Sequence, residues 1–176
     1  KICGELGTDA SDASSTGMWD MKNRTWAYGI LEKLGIPKDL LVESHESYEK
    51  AGQVTEECAG LTGLKKGTFV AYGGGDSLMM ELGNGMIRGG LMASTIGTAC
   101  HLTCALDAPL FDPKLRTNNW CHGGEHLWSI MGAHLSGGVA LKWLKNNILG
   151  AESFDAMTAL AQEVTAGSEG LLFLPY

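Results

Sequence analysis

Residues 69–76 read Phe69-Val70-Ala71-Tyr72-Gly73-Gly74-Gly75-Asp76, and this order decides the fold. A run of β-forming apolar residues meets three glycines and then a lone carboxylate. It predicts a buried strand whose C-terminal end opens into a turn where the backbone can approach a ligand closely. Residues 77–82 (SLMMEL) continue as a helix-like run. Asp76 then stands where a strand hands over to a helix N-terminus, the edge at which open α/β sheets form their ligand crevices. A plain N-capping aspartate is the competing reading, and spacing alone does not separate the two.

Upstream, residues 8–26 (TDASDASSTGMWDMKNRTW) are dense in Asp, Ser and Thr, side chains that satisfy their own backbone in turns and loops. Residues 28–34 predict a short amphipathic helix with Ile30, Leu31 and Leu34 inward, stopped by Gly35 with Pro37 beyond it. Residues 39–42 read as a helical turn and 49–54 as a strand or extended link. Thr55 caps a helix that runs to Leu61 and ends at Gly63.

Downstream, Gly83 to Gly90 (GNGMIRGG) reads as a joint between two halves. Residues 91–96 and 99–106 flank Gly97-Thr98 as a hairpin, 107–120 form a surface loop, and 127–135 a third strand. Ser136 is expected to cap a helix over 137–149 with Val139, Ala140, Trp143, Leu144 and Ile148 inward. Ser153 caps a second, with Phe154, Met157, Leu160, Ala161 and Val164 on one face, and 171–174 make the last strand. This order of hairpin, strand, two helices and strand matches a ribonuclease H-like, actin-type ATPase lobe.

The 176 residues are 44 % apolar and 19 % charged, enough to bury a core. A net charge of −7 and no cluster of Lys and Arg argue against a nucleic-acid surface. Backbone N–H groups can still bind phosphates in an acidic protein. No run is long and apolar enough to span a membrane, and nothing reads as a leader. Five cysteines, an odd number, read as free thiols, which sets the cytoplasm as the expected compartment. Lys1 at one end and the apolar LLFLPY run at the other suggest a piece of something larger.

Three further stretches could carry chemistry. The Gly97-Thr98 turn can aim successive N–H groups and a hydroxyl at one anion, although most such turns hold none. Gly137 and Gly138 open a helix whose N-terminus admits a phosphate or the flat face of a base, against a plain close-packing role. Cys100, Cys104, Cys121 and His122 suggest zinc, but Cys100 and Cys104 on one strand lie about 13 Å apart, and neither pair has CxxC spacing. They are read as core or strand residues, with no metal site. Trp120 and Trp128 are expected to pack rather than to stack on a ligand.

The stretches TDASDASSTGMWDMKNRTW, LEKLGIP, AYGGGDSLMMELGNGMIRGG, STIGTA and SGGVALKWL, in that order, resemble the middle of the FGGY carbohydrate kinases, the xylulokinase branch in particular. The resemblance runs along essentially the whole chain. It implies two ribonuclease H-like lobes with an active site in the cleft between them. Residues 1–88 would end the sugar-binding N-terminal lobe, and 89–176 would begin the nucleotide-binding C-terminal lobe. It makes Asp76 the catalytic base, with Ser77 beside it at a sugar-contacting position that is commonly Asn or Gln in the family. It makes Gly97, Thr98 and Gly138 nucleotide-binding. Asp9, Ser11, Asp12 and Thr16 fall in a family segment with no catalytic role.

The implied reaction is ATP-dependent phosphorylation of a sugar hydroxyl, a ketopentose such as D-xylulose, with Mg²⁺ accompanying the nucleotide. Ribulose or glycerol are alternative substrates, and a non-catalytic sugar- or nucleotide-binding relative is the alternative from another class. The expected partners are a small sugar and ATP, with no nucleic acid and no membrane, and a homodimer is left open. The family's N-terminal phosphate hairpin would precede Lys1, so the segment alone is expected to be inactive.

Overall fold

The computed structural model describes residues 1–175; Tyr176, the end of the FLPY run, lies outside them. The chain is mixed α/β and divides into two units. The first comprises 1–93 and 103–131, and the second 94–102 with the described residues from 132 onward.

In the first unit, the segment expected as loop carries short elements: β1 (Thr8–Asp9), α1 (Ala10–Ala13), β2 (Trp19–Asp20) and β3 (Thr25–Trp26). Its hydroxyls serve their own backbone, Ser14 Oγ donating to Ser11 O and Thr16 Oγ1 to Ala13 O. Its tryptophans do more. Trp19 and Trp26 meet edge to face, centroids 5.4 Å apart, and pack with Ala10, Ala13, Leu31 and Cys121. Burying side chains of this size contributes upward of about 2 kcal/mol each. Each indole N–H keeps an acceptor, Cys121 Sγ at 3.3 Å and Val42 O at 3.0 Å, so no buried donor is lost.

Next, α2 (Tyr28–Leu34) has the expected bounds, but only Leu31 is buried while Ile30 and Leu34 are exposed. Two turns of helix meet this core through one side chain. The helical turn expected over 39–42 falls instead at 38–40, of 3₁₀ type, and Leu41 is already extended. β4 (Ser44–His45) pairs in parallel with β1. β5 (Lys50–Gln53) leads into α3 (Glu56–Thr62), where Thr55 Oγ1 accepts the Cys58 N–H at 3.2 Å and Gly63 stops the helix at φ 76°. β6 (Phe69–Ala71) then returns antiparallel to β5. The expected buried strand is thereby corrected: Phe69 is 56 % exposed, because a two-stranded ribbon covers β6 along one edge only.

α4 (Asp76–Gly83) follows, burying Leu78 and Glu81. β7 (Met92–Ile96), β8 (Cys100–Leu106), β9 (Asn118–Cys121) and β10 (Trp128–His134) form one sheet in the order β7-β8-β10-β9. β9 replaces the end of the expected surface loop. Asn118 and Asn119 are poor strand formers, and antiparallel pairing with β10, Cys121 opposite Trp128 and Asn118 opposite Met131, overrides that preference.

In the second unit α5 (Gly138–Trp143) has Gly137 at its cap, so Ser136 is not the cap, and Leu144–Leu149 continue as π turns to Gly150. α6 (Phe154–Gln162) is capped as expected, Ser153 Oγ accepting the Ala156 N–H at 3.1 Å. Of the residues expected inward on these helices, Ala140 and Met157 are buried, while Val139, Trp143, Ile148, Phe154, Leu160 and Val164 are exposed. Residues 171–174 form no strand, since no described strand pairs with them. All five cysteines are free. Among the described residues no helix is long and apolar enough to cross a membrane.

Candidate active site

Gly75 occupies the N-cap of α4, and Asp76 is its first helical residue. The capping reading of Asp76 therefore fails, and its carboxylate is exposed. Oδ1 accepts the Ser77 N–H at 2.6 Å, with Ser77 Oγ farther off at 3.4 Å.

The loop bearing Asp76 is fastened from behind by the Asp/Ser-rich segment. The Gly75 N–H donates to Ser11 Oγ at 2.9 Å, and Ser11 Oγ donates onward to Asp9 Oδ2 at 2.5 Å. Asp9 Oδ2 also accepts from the Ser11 N–H at 2.7 Å and from Ser47 Oγ at 2.8 Å. Asp9, Ser11 and Ser47 are all buried, and a buried carboxylate is tolerated when donors surround it. The Gly73 N–H donates to Ser47 O at 3.0 Å, so the glycine run is tied at both ends. Gly73 takes φ +77°, a conformation that side chains resist. A Cβ at Gly74 would stand 2.7 Å from Ser11 Oγ and 3.1 Å from Ser47 Oγ. The glycines let backbone lie directly on this hydroxyl network.

In front of Asp76 is a pocket of about 200 Å³, lined by Ser11, Asp12, Ser15, Ser77 and Trp120 together with Gly75, Leu78 and Met131. Burial, then the charges of Asp9 and Asp76, raise the Asp12 carboxyl above the usual range. Hydroxyls, two carboxylates and an indole around a small concavity make a chemistry suited to a polyhydroxylated molecule.

Farther along α4, Glu81 is fully buried against the sheet. Ser129 Oγ donates to its Oε2 at 2.9 Å, and His122 Nε2 lies 3.5 Å from the same oxygen. The Gly124 N–H donates to His122 Nδ1 at 2.9 Å, so the ring proton of the neutral imidazole is on Nε2, toward Glu81. Burial pushes the Glu81 carboxyl up, against the pull of the Ser129 and Thr103 hydroxyls. Burial, then the Arg24 charge, pushes His122 down. Both shifts favour the uncharged forms of a pair that anchors the helix carrying Asp76.

In the second unit the turn at Gly97-Thr98 meets the start of α5. The Gly137 N–H donates to Thr98 O and the Gly138 N–H to Gly97 O, both at 2.7 Å. Those N–H groups are therefore spent on the hairpin and are not offered to an anion. A Cβ at Gly138 would lie 2.8 Å from Gly97 O, so glycine here serves close approach. Among the described residues, no group of three His, Cys, Asp or Glu side chains could hold a metal ion.

Residues 1–83 match the N-terminal domain of the FGGY family of carbohydrate kinases. These residues carry the N-terminal domain of that family. It is 32 % identical to a gluconokinase of Bacillus subtilis, over 100 % of this chain and 36 % of the relative. It is 30 % identical to an autoinducer-2 kinase of Klebsiella pneumoniae, over 98 % of this chain and 34 % of the relative. The crystal structure of a xylulose kinase from Rhodospirillum rubrum superposes with a TM-score of 0.88 at 30 % identity, over 99 % of this chain and 36 % of that one. The chain thus spans about a third of the length of these kinases.

Two features of this pocket escape the sequence reading. Trp120, expected to pack, lines the pocket with Asp76, and Asp12 joins it from a segment expected to be structural only. The only signal for Trp120 was an indole in a polar Asn-rich stretch. For Asp12 the available signal is a second carboxylate three residues after Asp9 in Asp9-Ala10-Ser11-Asp12-Ala13.

Proposed function

We propose that the full-length protein transfers the γ-phosphoryl group of ATP to a hydroxyl of a sugar, with Asp76 as the general base. One observation carries this reading: Gly75 takes the helix cap, which leaves the Asp76 carboxylate facing a small hydroxyl-lined pocket. In the reaction a sugar oxygen attacks the terminal phosphorus, Asp76 accepts the proton, and ADP leaves. Ser77 adjoins the base and is assigned to substrate contact.

The wider assignment follows the family. The two segments 1–88 and 89–176 are read as the end of one ribonuclease H-like lobe and the start of the next. Gly97, Thr98 and Gly138 are assigned to the nucleotide, Gly138 through close approach rather than through its N–H. Mg²⁺ is the usual companion of ATP phosphates, but the described residues supply no cluster of ligands for it and no step is routed through it. A ketopentose such as D-xylulose is the favoured acceptor. Relatives named for gluconate and autoinducer-2 at similar identity keep other acceptors in view.

The test is coupled ADP release by the full-length protein against ketopentoses, gluconate and glycerol, alongside Asp76→Asn. Sugar-dependent turnover that drops by about 10²–10⁴-fold in the variant, with sugar binding retained, is the expected result. Sugar binding without turnover on any acceptor would leave a binding protein on a kinase fold.

A further inference from the structure

Two side chains of the Asp76 pocket have no part in moving the proton or the phosphoryl group. Asp12 Oδ1 comes within 3.1 Å of where a Cβ at position 75 would stand, so glycine at 75 admits this carboxylate against the backbone just before Asp76. Among the residues lining the pocket, Asp12 and Asp76 are the charged ones, and both are anionic. Trp120 supplies the aromatic wall.

We propose that Asp12 and Trp120 make this pocket selective for an uncharged polyhydroxylated acceptor, a ketose or polyol, and against a sugar acid; the inference rests on the kinase reading of Asp76. Hydroxyl groups are donors, and a carboxylate accepts them with shorter, stronger bonds than a neutral oxygen does. Ser11 cannot take that role, because its hydroxyl is already held between the Gly75 N–H and Asp9. An aldonate would bring a third negative charge beside the Asp12 and Asp76 carboxylates, and Asp12 is already held above the usual range by burial and by the charges of Asp9 and Asp76. The face of an indole carries negative potential, which suits the C–H groups of a sugar and repels a carboxylate. The two devices act in the same direction.

The decisive experiment compares kcat/KM for D-xylulose and D-gluconate in the full-length protein and in Asp12→Asn, a near-isosteric change that removes the charge. The ketose is expected to be preferred by about tenfold or more, with that ratio shrinking about tenfold in the variant. A purely structural Asp12 would lower both substrates together and leave the ratio fixed, which overturns the proposal. A wild-type preference for gluconate overturns it too, while the kinase reading stands. If neither acceptor turns over, calorimetric binding of the two sugars decides the selectivity, and gluconate bound as tightly as xylulose overturns it; the kinase reading itself falls only if the wider panel of ketopentoses and glycerol is also inert. For Trp120, replacement by Ala is expected to raise the KM for the ketose about tenfold with little change in kcat, and Phe to restore it. The sugar-induced change in tryptophan emission should vanish in Trp120→Phe. Unchanged KM in Trp120→Ala removes the indole from the proposal.

Discussion

Ser11 and Gly75, 64 positions apart in the chain, are joined by a hydrogen bond of 2.9 Å from the Gly75 N–H to the serine hydroxyl. Because the same hydroxyl donates to buried Asp9, the segment that builds the tryptophan core also fixes the backbone immediately before Asp76. Ser11→Ala leaves the Gly75 N–H without its acceptor and removes one of the donors to Asp9. An unmet buried polar group costs about 1–3 kcal/mol. The variant should lose about that much stability in chemical denaturation. Its kcat should fall while the KM for ATP stays unchanged, since only the aspartate loop is loosened. An unaltered denaturation midpoint would show that the bond carries no weight.

Gly74→Ala tests the contact between backbone and hydroxyls. The new methyl would sit 2.6 Å from Met79 Cε, 2.7 Å from Ser11 Oγ and 3.1 Å from Ser47 Oγ. The methionine tip can swing away, but both hydroxyls are committed to Asp9 and cannot move without giving up bonds. A destabilisation of about 1–3 kcal/mol is expected, read as a lowered melting temperature. Gly60→Ala has open space around its new methyl and should cost nothing, or gain slightly as a helix position.

Local chemistry made much of this legible in the sequence. Gly35, Gly63 and the Thr55 and Ser153 caps act within a few residues of themselves, so the end of α2, both ends of α3 and the start of α6 follow from the chain alone. Asp76 is legible for the same reason, as the carboxylate that ends a glycine run. Long-range partners were not legible. The exposure of Phe69 depends on β6 having one neighbour, and β9 exists because β10 pairs with it. Trp120 enters the pocket through that pairing, and Ser11 reaches Gly75 only once residues 8–26 fold back. Nothing in those stretches encodes the partner.

Glu81 and His122 make stability depend on pH in opposite senses. The raised Glu81 pKa means the folded protein holds its proton more tightly than the unfolded chain. That contribution is full below the ordinary carboxylate value of 4.5 and is lost as pH rises through the raised one. The lowered His122 pKa works the other way: its contribution is full above the ordinary 6.5 and is lost as pH falls through the depressed value. Glu81→Gln mimics the protonated acid and removes the first dependence alone. Melting temperatures across pH 4–8 should show the variant gaining on the wild type as pH rises, with the acid-side loss from His122 intact. A gap between the two that does not change with pH would remove Glu81 from the account.

Gly137→Ala probes the second unit, where the hairpin turn and α5 touch through backbone. The added methyl would lie 2.2 Å from Cys100 Sγ, 2.9 Å from the Ala99 carbonyl carbon and 3.1 Å from its oxygen. Backbone is on the other side of that contact, so relief requires the helix start to move off the turn. The first bonds to break are the two at 2.7 Å that join Gly137 and Gly138 to Thr98 and Gly97. If this turn serves the nucleotide, the variant should raise the KM for ATP by about tenfold while the KM for the sugar, set around Asp76, changes little. Gly132→Ala has no atom within 4 Å of its new methyl and controls for the substitution itself. Equal increases in both KM values would mean that the turn supports the fold as a whole rather than the nucleotide.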